Sequence, residues 1–357
     1  MTTSRIFLSS LVALGLTAGT AAAQTEATVS QEAQKAAQAA EKLAKEHQAK
    51  AKEWARHAEQ HGGEAFTDRL VRTFKAGPGT TIVLANVSGD IVVSAGGAGE
   101  VRLEAVKRVR DTVEANARQR LEATSIDITE QANRIEVRAI YPHGRNRVAV
   151  DYTVTAPAGV TLDARSVSGN VSLDGIKGEV RVETVSGNVT ATGLAGETTL
   201  KAVSGDVLVS SSEVDGELTA NSVSGDVVVK TFKARSVNAA TVSGNVSMQS
   251  GSCGRANVGS VSGDLELMGA ISKGGRYELK SHSGNIRLVL DGKTGFALDA
   301  SSFSGNITTE LPLDVKHRQE GGGYGPPNRS LRAVYLDGSA QVELTSFSGN
   351  VVVVKKP

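Results

Sequence analysis

The segment Val180-Arg-Val-Glu-Thr-Val-Ser-Gly-Asn-Val-Thr-Ala-Thr192 alternates apolar and polar residues up to Glu183, breaks through the corner to Asn188, and then alternates again. Period-two alternation is the pattern of a half-buried strand. Glycine followed by Asp or Asn is turn chemistry, because glycine reaches positive φ freely and Asx residues tolerate the left-handed region. The tripeptide Ser-Gly-Asp/Asn recurs from Ser88, Ser168, Ser186, Ser204, Ser224, Ser243, Ser262, Ser283, Ser304 and Ser348. Aligned on this serine, apolar residues stand six and four positions before it and three and five after it, as in Val207/Val209 and Val227/Val229. Two positions before it stands a small residue, such as Thr184, Ala202, Ser222, Ser260 or Ser302, as expected at a tight corner.

Each repeat therefore reads as strand, corner, strand and second turn. The turn residues Ser186, Gly187, Asn188, Ser204, Gly205, Asp206, Ser224, Gly225 and Asp226 represent it best. A unit of about twenty residues cannot bury its apolar face alone, whereas stacked copies share a core and pair their strands. The expected fold is mainly β: a parallel β-solenoid, β-helix-like, of about ten coils with two principal strands per coil. A β-propeller is the alternative, needing two repeats per blade. The valine just before the serine (Val87, Val167, Val185, Val203, Val223, Val242, Val261) has outward parity. Either the corner turns it inward or it forms an exposed ladder. Phe303 and Phe347 take this place late in the chain, and His282 interrupts the series.

Residues 1–23 read as a secretory signal: Arg5, an apolar stretch from Ile6 to Ala18, and Ala21-Ala-Ala23 before Gln24. This predicts export to the periplasm, cell surface or extracellular space, and no transmembrane segment is expected in the mature chain. The chain holds 39 basic and 38 acidic residues, and loss of Arg5 makes them equal, so no charge excess favours nucleic acid. The lone Cys253 has no internal disulfide partner.

Residues 24–63 are rich in Ala, Glu, Lys and Gln and are expected to form one long helix preceding the solenoid, with Glu41/Lys45 and Glu46/Lys50 as i,i+4 pairs. An alanine-dominated seam on this helix offers weak self-association. Glu53, His57 and His61, four apart on one face, have a spacing that can place ligands around zinc, though on an Ala-rich helix such residues more often form a solvated face. Residues 64–160 hold the first repeat copy and then a β-rich cap, expected to cover the first coil and prevent edge pairing. Within it, Asp111-Thr-Val-Glu114 reads as a capping box for a short helix to about Ala123, and Lys107, Arg108 and Arg110 as a solvated strand end. Residues 161–357 carry the other repeats, with a Gly/Pro-rich surface loop at 312–330.

The stacked carboxylates Asp206 and Asp226 are the strongest chemical pair, expected about 5 Å apart on adjacent coils. They raise the alternative of a polysaccharide-acting enzyme or a cation site. Asn in six of the ten copies and an aromatic content of 4% favour turn chemistry and a non-enzymatic scaffold without cofactor. Envelope-stress sensing is a third reading, resting on export alone.

Phe74-Lys-Ala-Gly-Pro78, Val87-Ser-Gly-Asp90, the strands Glu100–Arg108 and Val150–Pro157, and the serial Val-Ser-Gly-Asp/Asn copies occur together in this order. In this the chain, over about residues 70–355, resembles a bacterial putative-adhesin family of β-strand-repeat proteins, a domain of unknown function. The resemblance implies an extracytoplasmic β-solenoid acting as an adhesin-like binding or structural scaffold. The partner would be an envelope protein or glycan, and no catalytic residue carries over.

Overall fold

The computed structural model describes residues 64–77, 79–96, 99–142, 148–319 and 329–356. The expected signal, the long helix with its seam, Glu53, His57 and His61, and the Gly/Pro core of the 312–330 loop lie outside the described residues. Those described form twenty-four strands and one helix, and the fold is β-solenoid-like with parallel strands.

Strands ending at the repeated serine stack into one face. β2 (Thr81–Ser88), β8 (Thr161–Ser168), β10 (Val180–Ser186) and β12 (Thr198–Ser204) follow one another in parallel. The face continues through the second halves of β13 (Val207–Ser224), β14 (Val227–Ser243) and β15 (Val246–Ser262), and then β17 (Arg276–Ser283). Ser186 stands opposite Ser168 on one side and Ser204 on the other. Strands leaving the corner stack into a second face: β3 (Ile91–Ala95), β9 (Val171–Asp174), β11 (Val189–Thr192), the first halves of β13 to β15, β16 (Leu265–Gly269) and β18 (Ile286–Leu290). This unbroken parallel register excludes the propeller.

Alternation places the core where the sequence predicts it. Val182, Val189, Ala191, Val207, Val209, Val227 and Val229 are all fully buried, and each valine side chain so removed from water contributes about 1.5–3 kcal/mol. A third, shorter side joins the two faces. In β13 and β14, Ser212–Val214 pair with Phe232–Ala234, after a residue of positive φ (Ser211 49°, Thr231 50°). Glycine holds the analogous bend in the preceding coils (Gly175 74°, Gly193 67°).

The stacking order departs from chain order at the far end. β23 (Ala340–Ser348) pairs in parallel with β17 on one side and β19 (Phe296–Ser302) on the other. Likewise β24 (Val351–Lys355) lies between β18 and β20 (Ile307–Thr309). The repeat of Ser348 is thus inserted between those of Ser283 and Ser304. The connection that makes this possible is not wholly a loop, as residues 312–330 were expected to be. It contains β21 (Asp314–Gln319), antiparallel to β22 (Arg329–Tyr335), which in turn lies antiparallel along β19.

At the near end the cap extends both faces. β7 (Ala149–Ala156) pairs with β3 and with β4 (Glu100–Asp111), and β4 carries β1 (Glu64–Lys75). β6 (Arg134–Ile140) lies beside β2 and carries β5 (Ser125–Gln131). Among the described residues β1 and β5 are the outermost strands of this cap, each paired on one side only. The helix α1 spans Glu114–Ala123 without a side-chain cap. Asp111 instead accepts from the Val113 amide at 3.1 Å and pairs with Arg120, so the capping box does not form. Lys107 is no solvated strand end either. Its ammonium, 12% exposed, donates to the Leu121 and Thr124 carbonyls and pairs with Asp68, tying α1 to β4 and β1.

Candidate binding face

Three ladders meet at the repeated corner, each set by one position of the repeat. In the first, the Asx side chain accepts from the backbone amide of the Asx in the next coil. Asn170 takes Asn188 at 3.0 Å, Asn188 takes Asp206 at 2.8 Å, Asp206 takes Asp226 at 2.9 Å and Asp226 takes Asn245 at 2.7 Å. Only an acceptor oxygen is used, which explains why Asp and Asn interchange. Asp206 and Asp226 are brought together as expected, but by a carboxylate-to-amide bond that the Asn copies make equally well. Among the described residues no group of three or more His, Cys, Asp or Glu side chains is arranged to hold a metal.

In the second ladder, the small residue two before the serine donates its hydroxyl to the glycine carbonyl of the neighbouring corner. Ser222 reaches Gly205 at 2.9 Å, Thr241 reaches Gly225 at 2.9 Å, and Ser302 reaches Gly349 at 2.8 Å. Close packing alone was expected at this position, and the hydrogen bond is the missed part. The preponderance of Ser and Thr over Ala at this place was its available signal. Ser166 and Thr184 depart from it, their buried hydroxyls having no partner. The corners also approach so closely that a Cβ on Gly205 (φ 148°) would stand 2.1 Å from the Gly187 carbonyl oxygen.

The third ladder resolves the position left open by parity. Val87, Val167, Val185, Val203, Val223, Val242 and Val261 all point outward and remain 45 to 50% exposed. His282 does not interrupt this ridge. Its ring stacks on Phe347 (centroids 4.9 Å, planes 9° apart), and Phe347 stacks on Phe303 (4.7 Å, 3°). The valine row therefore ends in a column of three rings. Neighbouring aromatics at this position were visible in the sequence, but the order His282, Phe347, Phe303 exists only because β23 is inserted between β17 and β19.

Along the ridge runs a groove. In an extended strand, residues one and three before the serine point to the same side, so Val185 and Glu183, or Val203 and Lys201, form opposing walls over the strand backbone. One section, from Ala85 to Val223, has a volume of about 520 Å³. A second, of about 470 Å³, lies at the ring column between Lys280, Thr345 and Phe347. The walls carry both charges: Arg165 pairs with Asp163, and Arg181 holds the Glu183 carboxyl below its usual range by hydrogen bond and charge. A separate cleft of about 500 Å³ between β17, β19, β23 and the β21–β22 hairpin is lined by charges, including the pair Arg332–Asp299. Cys253 is buried, its thiol pushed up to about 12 by desolvation, consistent with a packing role.

A parallel β-stack with repeated Ser-Gly-Asx corners and an outward apolar ridge defines the class, a β-solenoid-like protein. The family model described as Toastrack DUF4097 matches residues 80–354, and the chain belongs to that family. No curated protein matches it. Among solved structures it is similar to a putative adhesin from Parabacteroides merdae (10% identity, 81% of this chain and 97% of that one, TM-score 0.41). It is also similar to a putative adhesin from Bacteroides fragilis (12% identity, 81% and 97%, TM-score 0.38). A third is a putative lipid binding protein from Parabacteroides distasonis (11% identity, 81% and 97%, TM-score 0.35).

Proposed function

We propose that the protein is an exported, non-enzymatic scaffold of the cell envelope, whose rod of about ten coils binds an elongated partner along the valine ridge. The partner is an envelope protein or a glycan. Export rests on the signal-like residues 1–23. The observation that carries the binding role is the ridge itself. A continuous row of half-exposed valines contributes little to the core, yet it recurs at coil after coil, and exposed apolar patches of this kind mark interaction sites. At roughly 4.8 Å per coil it presents a regular apolar edge to a ligand lying along the rod axis.

The test is retention of the purified mature protein on isolated cell envelope, compared with the double variant Val203→Glu, Val223→Glu. Because both side chains are exposed, the thermal midpoint should hold while retention falls to the level of an unrelated solenoid. Equal retention by the variant would overturn the ridge as the binding face. Polysaccharide cleavage by the wild type, lost on Asp206→Asn, would replace the scaffold reading with the enzymatic one.

A further inference from the structure

We propose that two copies of the protein join edge to edge through β1, antiparallel about a two-fold axis at Leu70. β1 runs for 12 residues and pairs on one side only, with β4. Among the described residues no backbone group of Glu64–Lys75 bonds on the other side. Long unpaired edges are unusual, since folded proteins shorten, charge, bulge or cover them. The other outer strands here follow that rule. β20 has three residues, β21 has six, and β5 has seven with the acids Asp127 and Glu130. β1 is long and mixed in charge.

Its sequence is self-complementary in one register. In an antiparallel ladder bonded and non-bonded pairs alternate, so a two-fold axis must pass where a residue faces its own copy. With Leu70 on the axis, Phe66 faces Phe74, Thr67 faces Thr73, Asp68 faces Arg72 and Arg69 faces Val71, each twice. Moving the axis to Arg69 sets Arg69 against Arg69, and moving it to Val71 sets Asp68 against Phe74. The charges on the page fit the Leu70 register. Arg72 has no ion pair among the described residues, whereas Asp68 already holds Lys107 and would gain the second guanidinium across the junction. Phe66 and Leu70 are partly buried against the core and Val71 is 40% exposed, so the junction would cover apolar surface as well as pair backbone. Such a contact is isologous and closes as a dimer. It merges the second faces of the two copies into one sheet, by strand addition.

The mature wild-type protein should sediment as a dimer. Arg72→Asp, an exposed change that sets Asp68 against a second carboxylate twice, should weaken the dimer by about tenfold or more with an unchanged thermal midpoint. Register is read separately with Thr67→Cys and Thr73→Cys, both at exposed positions. Facing residues lie about 4.5–5.5 Å apart at Cα, within disulfide reach. A mixture of the two variants should cross-link under mild oxidation, while neither variant alone should do so. A wild type that stays monomeric at all concentrations overturns the proposal. So does a dimer that is insensitive to Arg72→Asp and fails to cross-link in the mixture.

Discussion

Val182 and Val185 lie three residues apart in one strand and differ in everything but composition. Val182 is fully buried in the stack, and Val185 is 49% exposed beside the corner. The inward row is closely packed in the core, whereas the outward row stays about half exposed. The proposed binding role rests on this outward row, since exposed apolar patches mark interaction sites.

Matched substitutions break or sharpen this contrast. Val182→Asp places an unpaired charge in the core and should cost several kcal/mol. Val185→Asp, made in parallel, should leave the denaturation midpoint within the error of wild type. Equal midpoints would mean that the assignment of the two rows is wrong. Gly205→Ala tests the corner that separates the rows. Its Cβ would meet the Gly187 carbonyl at a backbone angle unfavourable to L-residues, and a loss of roughly 3 kcal/mol in chemical denaturation is expected. A smaller gain is expected from Thr231→Gly. A β-branched residue at φ 50° is strained where earlier coils have glycine, and relief should raise stability by about 1 kcal/mol. Glu183→Lys, on the outer surface next to Val182, should shift stability by less than about 0.5 kcal/mol, since its pair with Arg181 is solvent-exposed.

Much of the coil was legible beforehand because its information is local. Val180/Val182 inward, Arg181/Glu183 outward and glycine at the turn each follow from a strand's period of two and from glycine's freedom. The candidate binding face was legible only in part. The place of Val185 in the repeat was evident, but its direction was not, since a corner can rotate a side chain away from its strand's parity. The interchange of Asp206 with Asn188 pointed to turn chemistry, and the structure adds the specific reason, an acceptor for the next amide. Thr184 and Ser222 looked alike in sequence, yet the Ser222 hydroxyl finds a carbonyl and the Thr184 hydroxyl does not. No sequence pattern distinguishes them.

The amino-acid sequence by itself determined that this protein is a stack of parallel strand pairs, which residues line its core, and where each coil turns. Tertiary structure alone decided the order of the last coils, with Ser348 between Ser283 and Ser304, and hence the ring column of His282, Phe347 and Phe303. It also decided that, among the described residues, β1 pairs on one side only. The physical reason is that a repeat makes neighbouring strands nearly interchangeable as partners. Local pattern then specifies how each coil is built, while the choice of neighbour rests on long-range pairing that is settled only when the whole chain has folded.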